Sequence, residues 1–198
     1  MKARLTLVSA SPRRQQLLAS LNIPFDVAPS KAHERWIGIS PEELAKDNAE
    51  RKVRASVFFG NYARVLIGAD TIIHHNGQVL GKPAGEESAC RMLEALSGCR
   101  HDVITAFCLV SFTKSGEIKR FHSEAVVSKV LFQELSRKMI RQYLQTNEWR
   151  GKAGAYAIQG EAGKFVLDVD GDYNNVVGLP VKQLQESIGT YFSDYQFL

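Results

Sequence analysis

The chain has 198 residues, 44% of them hydrophobic and 23% charged, the composition of an ordinary globular protein, which speaks against disorder. Its formal net charge of +4 arises from 25 Lys and Arg against 21 Asp and Glu, with no basic run of five or more residues. A small anionic ligand accounts for that excess as well as a polyanion does, and no nucleic-acid partner is expected.

The first elements lie in LTLVSASPRRQQLLASL, Leu5 to Leu21, where a short apolar strand leads into a helix through an unusual joint. Ser11 suits the N-cap and Pro12 the first helical position, so the spacing predicts a helix from Pro12. Its unpaired N–H groups and positive dipole end then share a space with Ser9, Ser11, Arg13 and Arg14, which suits phosphate. The spacing G-x-x-x-x-G-K is absent, so this is not a Walker loop, and alone the string reads as a capped helix with solvated arginines. FDVA, Phe25 to Ala28, is expected as a strand leading to the polar loop PSKAHERW, which carries Glu34. SPEELAKDNAERKVRASVFFG opens with a capping box of Ser40 and Glu43 around Pro41 and is expected to stay helical to Gly60. Leu44, Ala45, Ala49, Val53, Val57 and Phe58 form its inner face, and Lys52 lies one helical step from Asn48 and Ser56 at the margin of that face.

VLIGAD, Val65 to Asp70, is expected as a buried strand ending in a carboxylate, followed by a hairpin around Asn76-Gly77. GEESACRMLEALSG reads as a helix closed near Gly98, and the next stretch as two long strands around Ser115-Gly116. SRKMIRQYLQ is expected as a helix, the glycine-studded GKAGAYAIQGEAGKFVLDVDGDYNNVVGLP as strand-like, and VKQLQESI as a closing helix. This order predicts an α/β fold with a mixed, twisted sheet flanked by helices. No repeat or linker interrupts it, so residues 1–198 read as a single domain. No apolar stretch approaches a membrane span and the opening MKARLTLVSASPRR lacks the apolar run of a secretory leader, so a cytoplasmic protein without a membrane partner is expected. Cys90, Cys99 and Cys108 lack metal-site or disulfide spacing and are expected as reduced thiols. His74 and His75 would point to opposite faces of a strand and are poorly placed to chelate one metal. DVDGDY lacks the further ligands of a calcium loop and reads as a polar turn, with Asp172 bracing YNNVVGLP.

SASPRR, GADT, GKP, AGAYAIQG and GDYNNVVGLP occur in an order and spacing that resemble the Maf family of nucleotide pyrophosphatases, from about Leu5 to Ile188. The resemblance implies an inosine-triphosphate-pyrophosphatase-like fold, elongated, with two lobes around a deep cleft. It implies hydrolysis of a nucleoside triphosphate between the α and β phosphates, with a divalent metal, Mg or Mn, and it implies a homodimer. Ser9, Arg13 and Arg14 match the family's phosphate motif, Glu34 its loop glutamate, and Lys52 its helix lysine. Asp70 matches the aspartate of GADT, Lys82 the lysine of GKP, and Gln159 the glutamine of YAIQG. GADT with YAIQG resembles the subgroup acting on dTTP and UTP. Where members often carry an acidic residue before the loop glutamate this chain has His33, which bears on the number of metal ligands.

Those residue types suit the implied chemistry. A phosphoanhydride yields to water once its charge is neutralised and an in-line water is oriented. The planar fork of Arg13 suits bidentate phosphate binding, with Arg14 beside it, and Lys52 and Lys82 are point charges. Glu34 and Asp70 offer the oxygens a hard divalent cation takes, and Asp70 is equally suited to activating water, two roles the sequence leaves open. Gln159 carries an amide donor and acceptor that match a pyrimidine edge. The competing function is a nucleotide- or nucleic-acid-binding regulator of septum formation without turnover, which carboxylates in a phosphate pocket disfavour unless a metal intervenes.

Overall fold

The first apolar run folds as its composition dictates, with Leu5, Leu7 and Val8 fully buried. In the computed structural model, which describes residues 2–35 and 40–197, strand β1 (Lys2–Leu7) pairs in parallel with β2 (Phe25–Val27), β3 (Arg64–His75) and the short β8 (Gln196–Phe197). Helices α1 (Pro12–Ala19) and α2 (Pro41–Arg54) make the crossovers that parallel pairing requires. β3 turns into antiparallel β4 (Gln78–Leu80), and β6 (Ile118–Phe132) pairs antiparallel with β7 (Val166–Asp170). With β5 (Arg100–Phe112), the strand order is β2-β1-β3-β5-β6-β7, with β4 added to β3 and β8 to β1. The fold is therefore mixed α/β, with a mixed sheet, and α3 (Glu86–Leu96), α4 (Arg137–Gln145), α5 (Tyr173–Val177) and α6 (Val181–Tyr191) complete the helices among the described residues. None of these helices is long and apolar enough to cross a membrane.

The chain divides into two compact units. The first comprises Met1–Asp70, Thr105–Val126 and Gly178–Leu198, and its core joins Leu5, Leu7, Ile67, Phe107, Leu184 and Phe192. The second comprises Thr71–Ile104 and Val127–Val177, with Val103, Phe132, Tyr143, Trp149, Tyr156 and Phe165 in its core.

Both predicted helix starts occur as expected. Ser11 Oγ accepts the Arg14 N–H at 3.5 Å, and Ser40 Oγ accepts the Glu43 N–H at 3.3 Å. The Asn76-Gly77 turn closes the β3–β4 hairpin with φ of 48° and 75°, the primed geometry that fits strand twist. Three expectations are corrected. Helix α2 stops at Arg54 and not Gly60, because Ser56 Oγ accepts the Phe58 N–H at 3.2 Å and turns the chain; Val57, expected inside, is 86% exposed. Asp70 lies within β3 and not at a strand end, since the β-branched Thr71-Ile72-Ile73 continue the strand and Ile73 pairs with Leu80. The strand-like stretch around Gln159 is mostly short 3₁₀ turns, with only β7 extended, and YNNVV forms α5. Asp172 Oδ1 accepts the Asn174 N–H at 2.8 Å, the bracing expected of it, and so opens that helix. Trp36, at the end of the predicted PSKAHERW loop, falls outside the described residues.

Candidate active site

The site in the first unit begins with a missing side chain. A Cβ at Gly68 would stand 2.7 Å from Val53 Cγ2 and closer still to the Ala49 carbonyl oxygen, so only glycine lets α2 lie this near β3. Asp70 is two residues further along β3 and faces the same side. The close approach puts two side chains of α2, one turn apart, onto that carboxylate.

Lys52 is the first. Its ammonium donates to Asp70 Oδ1 at 2.5 Å and to the backbone oxygen of Ala69 at 3.2 Å, and pairs with Glu34 Oε1 at 2.9 Å. An ammonium has three protons and here meets three oxygens. All three side chains are withdrawn from solvent, Lys52 and Glu34 at 12% exposure and Asp70 at 4%.

Asn48 is the second, and it is 1% exposed. Its Nδ2 donates to Asp70 Oδ2 at 3.1 Å and to the backbone oxygen of Arg35 at 3.0 Å, while its Oδ1 accepts the Arg35 N–H at 2.7 Å. Arg51 Nε adds a bond to the His33 carbonyl at 3.4 Å. The loop that presents Glu34 is thus tied to α2 on both sides of that residue.

The opening joint contributes Ser9, 7% exposed, whose Oγ accepts the Ser11 N–H at 3.2 Å and Arg14 Nη1 at 3.4 Å. Arg14 Nε also donates to the Gly178 carbonyl at 2.8 Å, so its guanidinium spans the start of α1 and the segment before α6. Burial pushes the Arg14 guanidinium below its usual range, the attraction of Asp70 and Glu34 opposes the fall, and Arg13 adds to it. Burial likewise raises the Asp70 carboxyl; Lys52 opposes the rise, Glu34 reinforces it and Arg14 opposes it. These mutual influences join Arg13, Arg14, Glu34, Lys52 and Asp70 into one electrostatic cluster, in which three cations face two carboxylates. Such a cluster suits an anionic ligand and provides a carboxylate of raised basicity.

The sequence profile of the Maf-like protein family matches residues 4–190. The chain belongs to this family. Among its Maf relatives, a protein of Thermococcus kodakarensis named dTTP/UTP pyrophosphatase is 43% identical over 178 residues, covering 90% of this chain and 92% of that one. Proteins of the same name from Alkaliphilus oremlandii and Geobacter sulfurreducens are 41% and 42% identical over 192 and 188 residues. The former alignment covers 96% of both chains, the latter 94% of this chain and 96% of the relative.

Of the residues matched to the Maf motifs, the structure gathers Ser9, Arg13, Arg14, Glu34, Lys52 and Asp70 within the first unit. Lys82 and Gln159 belong to the second unit, both exposed, in the loop after β4 and in the turn closed by the Gly160 N–H on the Ala157 oxygen at 3.1 Å. Asn48 was missed as a site residue. Its signal was its position one turn before Lys52, and no motif marks it.

Proposed function

We propose that this chain is a nucleoside triphosphate pyrophosphatase that hydrolyses dTTP and UTP between the α and β phosphates, yielding the monophosphate and pyrophosphate. The observation that carries the reading is Lys52, 12% exposed, bridging the buried Asp70 and the partly buried Glu34 in one cluster with Arg13 and Arg14. A phosphate-binding site alone has no use for two carboxylates, one buried and one partly buried, which repel the ligand. Hydrolysis does, because something must orient and deprotonate the attacking water. The names of the relatives support the nucleotide class and the bases.

In this reading Ser9, Arg13 and the N-terminus of α1 bind the phosphate chain, with Arg14 held in place by Ser9 and Gly178. Asp70 has one of two roles, the base that takes the proton of the attacking water or, with Glu34, a ligand of the metal. Lys52 keeps Asp70 and Glu34 side by side and offsets their repulsion. For Lys82 and Gln159, of the second unit, the match to the Maf motifs supports roles in phosphate charge balance and in reading the base. No group of three or more His, Cys, Asp or Glu able to hold a metal occurs among the described residues. Two carboxylates nevertheless fit magnesium or manganese, because a small hard cation usually takes one or two protein carboxylates and completes its shell with substrate phosphates and water. Glu34 and Asp70 would hold that ion, which supplies further neutralisation of phosphate charge. Homodimerisation is proposed with this function, and light scattering at working concentration reads it.

The test is incubation of the purified protein with dTTP, UTP and dGTP in the presence of magnesium or manganese, with products resolved by chromatography. The expected products are dTMP or UMP and pyrophosphate. Orthophosphate with a nucleoside diphosphate would contradict the bond assigned, and equal kcat/KM on dGTP would contradict the pyrimidine preference. Absence of turnover with steeply salt-dependent nucleic-acid binding would favour a regulator.

A further inference from the structure

We infer that Asn48 is a positioning residue, which fixes the Glu34 loop and the Asp70 carboxylate relative to each other. The inference rests on the proposed pyrophosphatase reading for its kinetic consequence and on geometry alone for its structural one. An asparagine on the buried face of a helix is costly unless its amide is satisfied, and leucine or alanine would otherwise serve there. Here both Nδ2 protons and Oδ1 are engaged, and none of the three bonds goes to α2 itself. Two close a ring on the backbone of Arg35, reading its N–H and its C=O together. That double contact fixes the N–H of the peptide joining Glu34 to Arg35 and the carbonyl on the other side of the Arg35 Cα. The third fixes Asp70 Oδ2.

Lys52, one turn on, makes the matching pair of contacts, to the Glu34 carboxylate and to Asp70 Oδ1. Asp70 is therefore held by both oxygens from one helix, and the same two residues hold the loop through its backbone at Arg35 and through the Glu34 side chain, with Arg51 adding the bond to His33. The two α2 residues are not interchangeable. Lys52 acts by charge and would follow the carboxylates if they moved, because an ammonium on four methylenes has no preferred direction. Asn48 is short and planar, and its bonds exist at only one placement of the loop. It belongs to the groups that orient reacting residues without touching substrate, whose loss typically lowers activity on the order of 10- to 100-fold.

The experiment uses the full chain and Asn48→Leu, which keeps the branching at Cγ, is somewhat larger and removes all three bonds. With dTTP saturating, kcat is expected to fall on the order of 10- to 100-fold while KM stays within about threefold, since the phosphate-binding residues are untouched. Amide hydrogen exchange, followed residue by residue, should speed up at Arg35 at least tenfold and stay unchanged in β1 and β3. A purely packing role would lower the melting temperature without separating Arg35 from those strands. Unaltered kcat, or unaltered exchange at Arg35, in a folded variant overturns the inference. Should the variant not fold, the unmodified protein decides: the Asn48 side-chain amide protons should exchange slowly and show a nuclear Overhauser contact to the Arg35 amide, and fast exchange without that contact overturns it. Wild-type protein that releases no pyrophosphate would refute the proposed function, and the exchange measurements would still judge the placement of the loop.

Discussion

The carbonyl oxygen of Ala49 on α2 occupies the space into which a side chain at Gly68 of β3 would project. Replacing Gly68 with alanine forces helix and strand apart, because the neighbour is backbone and cannot swing away. Overpacking of this kind costs about 1–3 kcal/mol. Denaturant titration of Gly68→Ala should show that loss. Turnover should fall with it, since the displaced helix carries Asn48 and Lys52. A variant with the parent's midpoint and the parent's rate would show that α2 leaves room for a side chain at position 68.

Lys52 should be more costly to remove than an ordinary surface lysine. In Lys52→Met the carboxylates of Asp70 and Glu34 lose the ammonium that joins them while staying withdrawn from water. Breaking a buried ion pair from one side typically costs about 3–5 kcal/mol. The loss should shrink when Asp70→Asn is added, because the charge left behind is then removed. A double-mutant cycle in urea measures this, and strictly additive losses would contradict the coupling.

The parts of this site legible in sequence were those with local causes. Ser11-Pro12 and Ser40-Pro41 mark helix starts through backbone groups that neighbouring residues must satisfy, and both helices begin there. Lys52 and Asp70 were singled out through motifs, and their meeting depends on a contact between residues 18 apart. What was not legible depended on tertiary context. The end of α2 was set by a serine bonding its own turn, and the length of β3 by pairing with β4. Asn48 gave the least signal of all: an asparagine in a helix usually faces water, and only the loop it meets across space makes its burial favourable.

Asp70→Asn tests the carboxylate itself. The substitution keeps size and an acceptor for the Asn48 amide, and removes charge and basicity. If Asp70 accepts the proton of water, kcat on dTTP should fall on the order of 100-fold or more, typical of losing a general base. The fold should survive, read by an unchanged far-UV spectrum and cooperative melting. A folded variant working at the parent's rate would exclude Asp70 from the chemistry and direct attention to Glu34.

The last prediction concerns His101, in the second unit and away from the cluster in sequence. It is 2% exposed, its Nε2 pairs with the Tyr156 hydroxyl at 2.9 Å, and its ring makes T-shaped contacts with Phe132 and Tyr156. Burial pushes the imidazole from 6.5 down to about 4. The folded chain therefore keeps this ring neutral across an interval in which the unfolded chain protonates it. Because the unfolded state binds the extra proton there, stability is fully present above 6.5 and is lost as pH falls from 6.5 through about 4. The whole interval corresponds to about 3 kcal/mol. His101→Phe retains a ring in the aromatic cluster, removes the titration and leaves the Tyr156 hydroxyl without this partner. At pH 7 the variant should be less stable by about 1–3 kcal/mol, the cost of leaving a buried hydroxyl unsatisfied. Between pH 6.5 and 4 its stability should decline less steeply than that of the parent, because every other titrating group is shared. Urea midpoints at pH 7 and near pH 4.5 measure the difference, and equal declines in the two proteins would mean that His101 does not drive the acid sensitivity.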